Sequence, residues 1–218
     1  MITQEREDYL KTIYKIELEE SPVRTTAIAK ALGVEPASVT GVIKRLAELD
    51  LLEHQPYKGV TLTPSGRKVA LSVIRRHRLV ELYLTQSLGY SWDEVHDEAD
   101  LLQDGVNQKI EDRIDEVLGY PSRCPHGEPI PSRDGGIPQL DDLPLVVVSP
   151  GTQGRVSRIK THDPDKLKYL ASLNLVPDTP YKLISRQPFN GPIRLAIAGQ
   201  GDQVIGSELA AAIWVTRT

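Results

Sequence analysis

The chain has 218 residues, 39% of them hydrophobic and 26% charged, with a formal net charge of −4. That length suits one large domain or two modest ones, and no apolar run approaches the roughly 18 residues that a membrane span needs. Residues 1–80 carry 13 Lys+Arg against 10 Asp+Glu, and the remainder 13 against 20, so an anionic partner such as DNA would dock on the first third.

A single cysteine, Cys124, excludes a disulfide framework within the chain and suits a reducing compartment. The opening MITQEREDYLKTIY is acidic and periodic, unlike a signal peptide. A cytoplasmic protein without membrane association is expected.

In chain order, EREDYLKTIYKIELE (5–19) places Tyr9, Leu10, Ile13, Tyr14, Ile16 and Leu18 at spacings that give one apolar helix face. TTAIAKAL then predicts a helix ending at Gly33, followed by a tight turn and a second helix from Pro36 to Leu49. Proline in the first helical turn is sterically acceptable and pre-sets the backbone. The pair reads as a helix-turn-helix.

In the second helix Val39, Val42, Ile43 and Leu46 face the core, while Ser38, Thr40, Gly41, Lys44 and Arg45 lie on other faces. Short polar residues permit close approach to base edges, and Lys44 and Arg45 can meet phosphates. The DNA-binding set also takes in Thr26 and the turn and first helical residues Glu35, Pro36 and Ala37. LLEHQPYKGVTLTPSG predicts two short strands, a wing with Tyr57 and Lys58 at its tip. The same module can serve protein–protein contacts.

A helix starting at Pro64 or Ser65 carries RRHRLVELYL, where His77 and Glu81 are four residues apart. HDEADLLQD (96–104) then sets His96, Asp100 and Asp104 at successive four-residue steps, a polar row where a packing helix would be apolar. One His–Glu pair is commonly a surface ion pair. Two such helices point instead to a divalent metal held by imidazole and carboxylate, of the class Mn²⁺, Fe²⁺, Co²⁺ or Zn²⁺. VNQKIEDRIDEVLG carries Val106, Ile110, Ile114, Val117 and Leu118 on one stripe, which would serve a dimer interface or intrachain packing.

GYPSRCPHGEPIPSRDGGIP (119–138) is too rich in Pro and Gly for a regular element and marks a linker. Beyond it LVVVSP, GRVSRI, YKLISR, IRLAIAG, QVIGSEL and AIWVTR read as short strands of a small barrel or sandwich. DPDKLKYLASLNLVPD (163–178) interrupts them as a helix.

EDYLKTIY, VTLTPSGRKVA, RRHRLVELYLTQSLG, VHDEAD and CPHGEPIP, in this order and spacing, resemble the DtxR family of metal-dependent repressors over nearly the whole chain. The resemblance implies a mostly α chain of three domains: a winged helix-turn-helix over 1–72, a helical dimerisation and metal-binding domain with linker over 73–142, and an SH3-like (FeoA-like) β-barrel over 143–218. It implies a homodimer that binds operator DNA when manganese or iron is present and represses metal-uptake genes.

By the same resemblance one metal site joins Asp8 of the first helix to Asp100, Gln103 and Asp104. Asp8 matches the manganese-sensing branch. Many members have glutamate and histidine where this chain has Gln103 and Asp104. The other site uses His77, Glu81 and His96, with Cys124, His126 and Glu128 of the RCPHGE loop as further candidates and His162 or Asp163 from the third domain. A metal shared by Asp8, Asp100 and Asp104 would fix the spacing of the two winged helices.

Three other readings remain open to the sequence: a winged-helix regulator with a structural metal and metal-independent DNA binding, a metal-dependent hydrolase, and a scaffold whose β-rich tail binds proline-rich peptide. No GxxxxGK[ST], HExxH or nucleophile elbow is present, so an enzyme is not expected. The aromatic residues of the tail (Tyr169, Tyr181, Phe189 and Trp214) are too sparse for a stacked peptide groove.

Overall fold

The computed structural model describes residues 3–55 and 58–218, and divides into two compact units. The first comprises Met1–His77 and Pro131–Ile137, the second Arg78–Ile130 and Pro138–Thr218.

In the first unit α1 (Gln4–Glu17) buries Tyr9, Leu10, Ile13 and Tyr14, as the apolar spacing requires. α2 (Thr25–Leu32) stops at Gly33, whose left-handed φ of 66° suits a glycine and turns the chain toward α3 (Pro36–Glu48). α3 sends Val39, Ile43 and Leu46 inward. β1 (Leu52–Gln55) and β2 (Gly59–Leu62) pair antiparallel, with Leu52 opposite Leu62 and Gln55 opposite Gly59.

Val23 joins the wing through backbone bonds to Val60 in both directions, 2.8 and 2.9 Å. Glu17 closes the arrangement: one carboxylate oxygen accepts from Leu62 N at 3.0 Å and the other takes Arg67 at 2.5 Å. α4 (Pro64–Leu88) begins here and continues into the second unit. The linker segment Pro131–Ile137 belongs with the first unit, where the Pro131 carbonyl accepts from Arg75 Nη1 at 2.9 Å and Ile137 packs on the core.

The second unit contains the rest of α4, then α5 (Val95–Leu102) and a 3-10 turn at Gln103–Gly105. α6 (Gln108–Val117) follows, capped by the Asn107 side chain, which accepts from Lys109 N and Ile110 N. The expected apolar stripe of α6 divides. Val106 and Ile114 enter the unit's own core, whereas Ile110 and Val117 stay exposed.

The chain then forms β3 (Leu143–Pro144), β4 (Gln153–Ile159), α7 (Pro164–Ser172), β5 (Pro180–Arg186), β6 (Ile193–Ile197), β7 (Gly201–Ile205), α8 (Ser207–Ala212) and β8 (Ile213–Val215). The sheet order is β3-β8-β4-β5-β6-β7, each neighbouring pair antiparallel.

The expectation of a small SH3-like β-barrel is corrected here. Among the described residues the six-stranded sheet is open, with β3 and β7 as its edges. After β7 the chain enters α8, which delivers β8 into the sheet between β3 and β4, so β7 never meets β3. The LVVVSP run also departs from a strand: only Leu143–Pro144 pair, and Leu145–Val147 form a 3-10 turn.

Ile43 is 1% exposed and ties the outer face of α3 to the core beneath it. Replacing it with alanine removes buried methyl groups and leaves a cavity, an expected loss of about 2–5 kcal/mol. Urea denaturation of Ile43→Ala against the parent protein checks this.

Candidate metal centre and DNA-binding surface

Glu81 is the centre of the second unit's polar interior. It lies on α4, one turn after His77, at 1% exposure. Oε1 meets His96 Nδ1 of α5 at 2.9 Å, and Oε2 faces Nδ1 of His126 at 3.7 Å. His96 Nε2 in turn faces Asp100 Oδ2 at 3.8 Å.

Two groups of ligand atoms gather within 4.8 Å, one of His77, Glu81 and His96, the other of Glu81, Cys124 and His126. Glu81 belongs to both. His162, exposed on the segment before α7, stacks on His96 with ring centroids 3.7 Å apart and planes within 10°.

His126 is 0% exposed. Its Nε2 lies 2.7 Å from the Trp92 carbonyl, which can only accept, so Nε2 carries the proton. In the neutral ring Nδ1 is then a lone pair, buried without a hydrogen-bond partner and aimed toward a carboxylate. Two electron-rich atoms facing each other in a buried place fit a cation between them. Burial pushes the Cys124 thiol far up, and the Glu81 carboxylate adds to the shift, so the thiolate forms only with a compensating positive charge. These residues fit a divalent ion.

The loop that carries Cys124 and His126 is held from two sides. Within it, Cys124 N donates to the Glu128 carbonyl and Gly127 N to the Cys124 carbonyl, both at 2.9 Å. Arg78 of α4 bonds the Pro129 carbonyl at 2.6 Å and pairs with the Glu128 carboxylate. From β4, Ile159 N donates to the His126 carbonyl at 2.9 Å, and Arg158 reaches both Glu128 and Asp142. Gly127 has φ +83°, and a Cβ there would collide with the Ser157 carbonyl, so glycine is required.

The remaining site residues proposed from sequence fall as follows. Glu128 is engaged by Arg78 and Arg158 and belongs to neither group of ligand atoms. Asp163 caps α7, its Oδ1 accepting from Asp165 N and Lys166 N. Asp8 lies on α1 of the first unit, 3.6 Å from Lys11 Nζ. Asp100 and Gln103 meet in the second unit, where Gln103 Nε2 donates to Asp100 Oδ1 at 2.9 Å.

Asp104 is exposed on the 3-10 turn. That turn advances about 120° per residue instead of 100°, so the four-residue spacing no longer holds Asp104 on the His96 face. The weight of His126 was hard to read from sequence, because its burial depends on a β4 strand more than 25 residues away.

On the first unit Thr26, Glu35, Pro36, Ala37, Ser38, Thr40, Gly41, Lys44, Arg45 and Lys58 are all exposed. Thr40 bonds back to the Pro36 carbonyl, and Arg45 pairs with Glu48 at 2.6 Å. Tyr57 lies outside the described residues. No helix of the described residues is long and apolar enough to cross a membrane.

Comparison with known proteins decides the family. Residues 1–60 match the model for the N-terminal DNA-binding domain of the iron-dependent repressors, and residues 63–132 match their metal-binding and dimerisation domain. The diphtheria toxin repressor of Corynebacterium jeikeium is 32% identical over 192 residues, which span 83% of this chain and 78% of that protein.

The chain belongs to the DtxR family of iron-dependent repressors. Residues 143–217 match the FeoA domain. IdeR of Mycobacterium tuberculosis is 29% identical over 97% of this chain and 96% of its own length. A manganese-dependent transcriptional repressor solved in complex with manganese superposes with a TM-score of 0.92 at 40% identity, covering 98% of this chain and 100% of the other. This DtxR-family member is a homodimeric, metal-activated, DNA-binding transcriptional repressor and not an enzyme.

Arg78 supplies two of the contacts that fix the loop. Its replacement by alanine leaves the Pro129 carbonyl and one side of a largely buried carboxylate unmet, an expected loss of about 1–3 kcal/mol. Thermal and denaturant unfolding of Arg78→Ala measures it.

Proposed function

We propose that this regulator responds to manganese, with ferrous iron as the alternative ion, and represses genes of metal uptake in the cytoplasm. Likeness at 40% identity to a manganese-dependent repressor supports the choice of ion. The observation that carries a metal centre in this chain is the buried His126 lone pair facing the shared Glu81 carboxylate. In this reading His77, Glu81 and His96 hold an ion, Cys124 and His126 with Glu81 form the adjoining group, and His162 closes it from the third domain.

Asp8, Asp100, Gln103 and Asp104 supply a second set of donors, supported by the family pattern and by their oxygen chemistry, which suits a hard ion such as Mn²⁺. Cys124 favours iron, since a thiolate is the softer ligand. The domain division proposed is 1–72, 73–142 and 143–218.

When bound, a divalent ion would supply positive charge to these carboxylates and tie together the elements that carry its donors. The chain's residues do the rest. Ser38, Thr40 and Gly41 present short side chains to base edges, and Lys44 and Arg45 approach phosphates. Exposed Ile110 and Val117 on α6 offer an apolar face to the second copy. Two α3 helices must enter major grooves about 34–36 Å apart, or a multiple of that, so any constraint on their spacing raises operator affinity.

The test is operator selection and binding with metal-stripped protein, repeated with Mn²⁺, anaerobic Fe²⁺, Co²⁺ and Zn²⁺. Tight binding is expected only with Mn²⁺ or Fe²⁺, and is lost in Asp8→Ala. Equal binding with and without metal would overturn the reading.

Glu81 gives a second test, because it belongs to both groups. Glu81→Gln should lower bound-metal stoichiometry at both, whereas His77→Ala and Cys124→Ser should each affect one. Metal analysis after dialysis reads the difference, and unchanged stoichiometry in Glu81→Gln would refute a shared carboxylate.

A further inference from the structure

Gln103 stands at the turn between α5 and α6, where a helix gives way to a 3-10 turn. It is only 4% exposed. Its Nε2 donates to Asp100 Oδ1 at 2.9 Å and lies 3.4 Å from the Asp100 carbonyl oxygen. Oε1 is buried and has no hydrogen-bond partner. The orientation of the amide follows from its neighbour, because the reversed amide would set two oxygens against each other. A buried amide oxygen without a donor is unfavourable, and a hard cation is one of the few groups that satisfies it beside a carboxylate.

We propose that Gln103 sets the metal threshold of this regulator. Nε2 holds the Asp100 carboxylate in place before metal arrives, and Oε1 is a neutral oxygen ligand for the ion that Asp100 takes. This rests on the metal-activated reading above. A glutamate at this position would place a second negative charge against Asp100, favouring a divalent ion but straining the metal-free protein. The neutral amide gives the opposite balance: a well-formed metal-free state, and a response that begins only at higher metal concentration.

Two variants separate these effects. Gln103→Glu should bind Mn²⁺ roughly tenfold or more tightly, and should shift the operator-binding midpoint to lower Mn²⁺. Its metal-free melting temperature should fall. Gln103→Leu keeps the size of the side chain without its oxygen, and should bind Mn²⁺ at least about tenfold more weakly. Calorimetric titration with Mn²⁺ alone, melting with and without Mn²⁺, and operator titration provide the readouts.

If Gln103→Leu and Gln103→Glu both stay within about twofold of the parent for Mn²⁺, the inference is overturned while metal activation stands. Weaker binding by Gln103→Glu overturns it as well. If the parent protein itself binds operator without metal, the underlying reading fails instead. Should Gln103→Glu fail to fold without metal, the Gln103→Leu titration still decides.

Discussion

A carboxylate buried between two imidazoles is the constraint around which the second unit is arranged. Glu81 has given up nearly all contact with water, and an ionised carboxylate in such a place is costly unless positive charge or hydrogen bonds replace the solvent. His96 offers one contact at 2.9 Å. His126 offers another, but its proton is committed to the Trp92 carbonyl, and the nitrogen that faces Glu81 is the wrong one to donate in the neutral ring. The interior is thus polar and electron-rich, a chemistry that suits a divalent cation.

The loop that brings His126 there has little regular structure and several prolines, so its shape depends on what grips it. α4 does so through Arg78, and β4 through the Ile159 amide, Arg158 and the close approach at Gly127. Glu128 serves this clamp, positioned between two guanidinium groups. A residue that offers itself as a ligand in sequence is thus engaged by two guanidinium groups of the clamp. The cation stack of Arg158 and Lys160 on Trp214 continues the clamp across β4 and β8.

Much of this was legible in the sequence where local physics decides. The apolar spacing of α1, the Gly33 stop, Pro36 at the start of α3 and the paired strands after Leu51 all express short-range preferences, and they appear where expected. What escaped depends on distant partners. LVVVSP has strand composition, but the chain turns at Leu145–Val147 because that segment packs against α8 and its own core, not against a full strand. Barrel closure failed for a like reason: α8 routes β8 between β3 and β4, and nothing in the strand sequences specifies that order.

The polar row of α5 was legible in the sequence, but the burial of its members was not. His96 and Asp100 hold their helical spacing, while the tightening at Gln103 buries an amide and turns Asp104 outward. A residue that sequence comparison marks as a departure is therefore the one most deeply enclosed.

The grip of β4 on the 123–129 loop also changes what counts as the smallest working unit. Every candidate donor except His162 and Asp163 precedes residue 143, so a chain ending at the linker would retain almost all of them on paper. It would lose the Ile159 amide, the Arg158 guanidinium and the wall against which Gly127 rests. The segment that matches the FeoA domain acts as a mould for the loop that carries Cys124 and His126. Ser157, Arg158 and Ile159 cannot shift register by one residue without presenting the wrong face to the histidine.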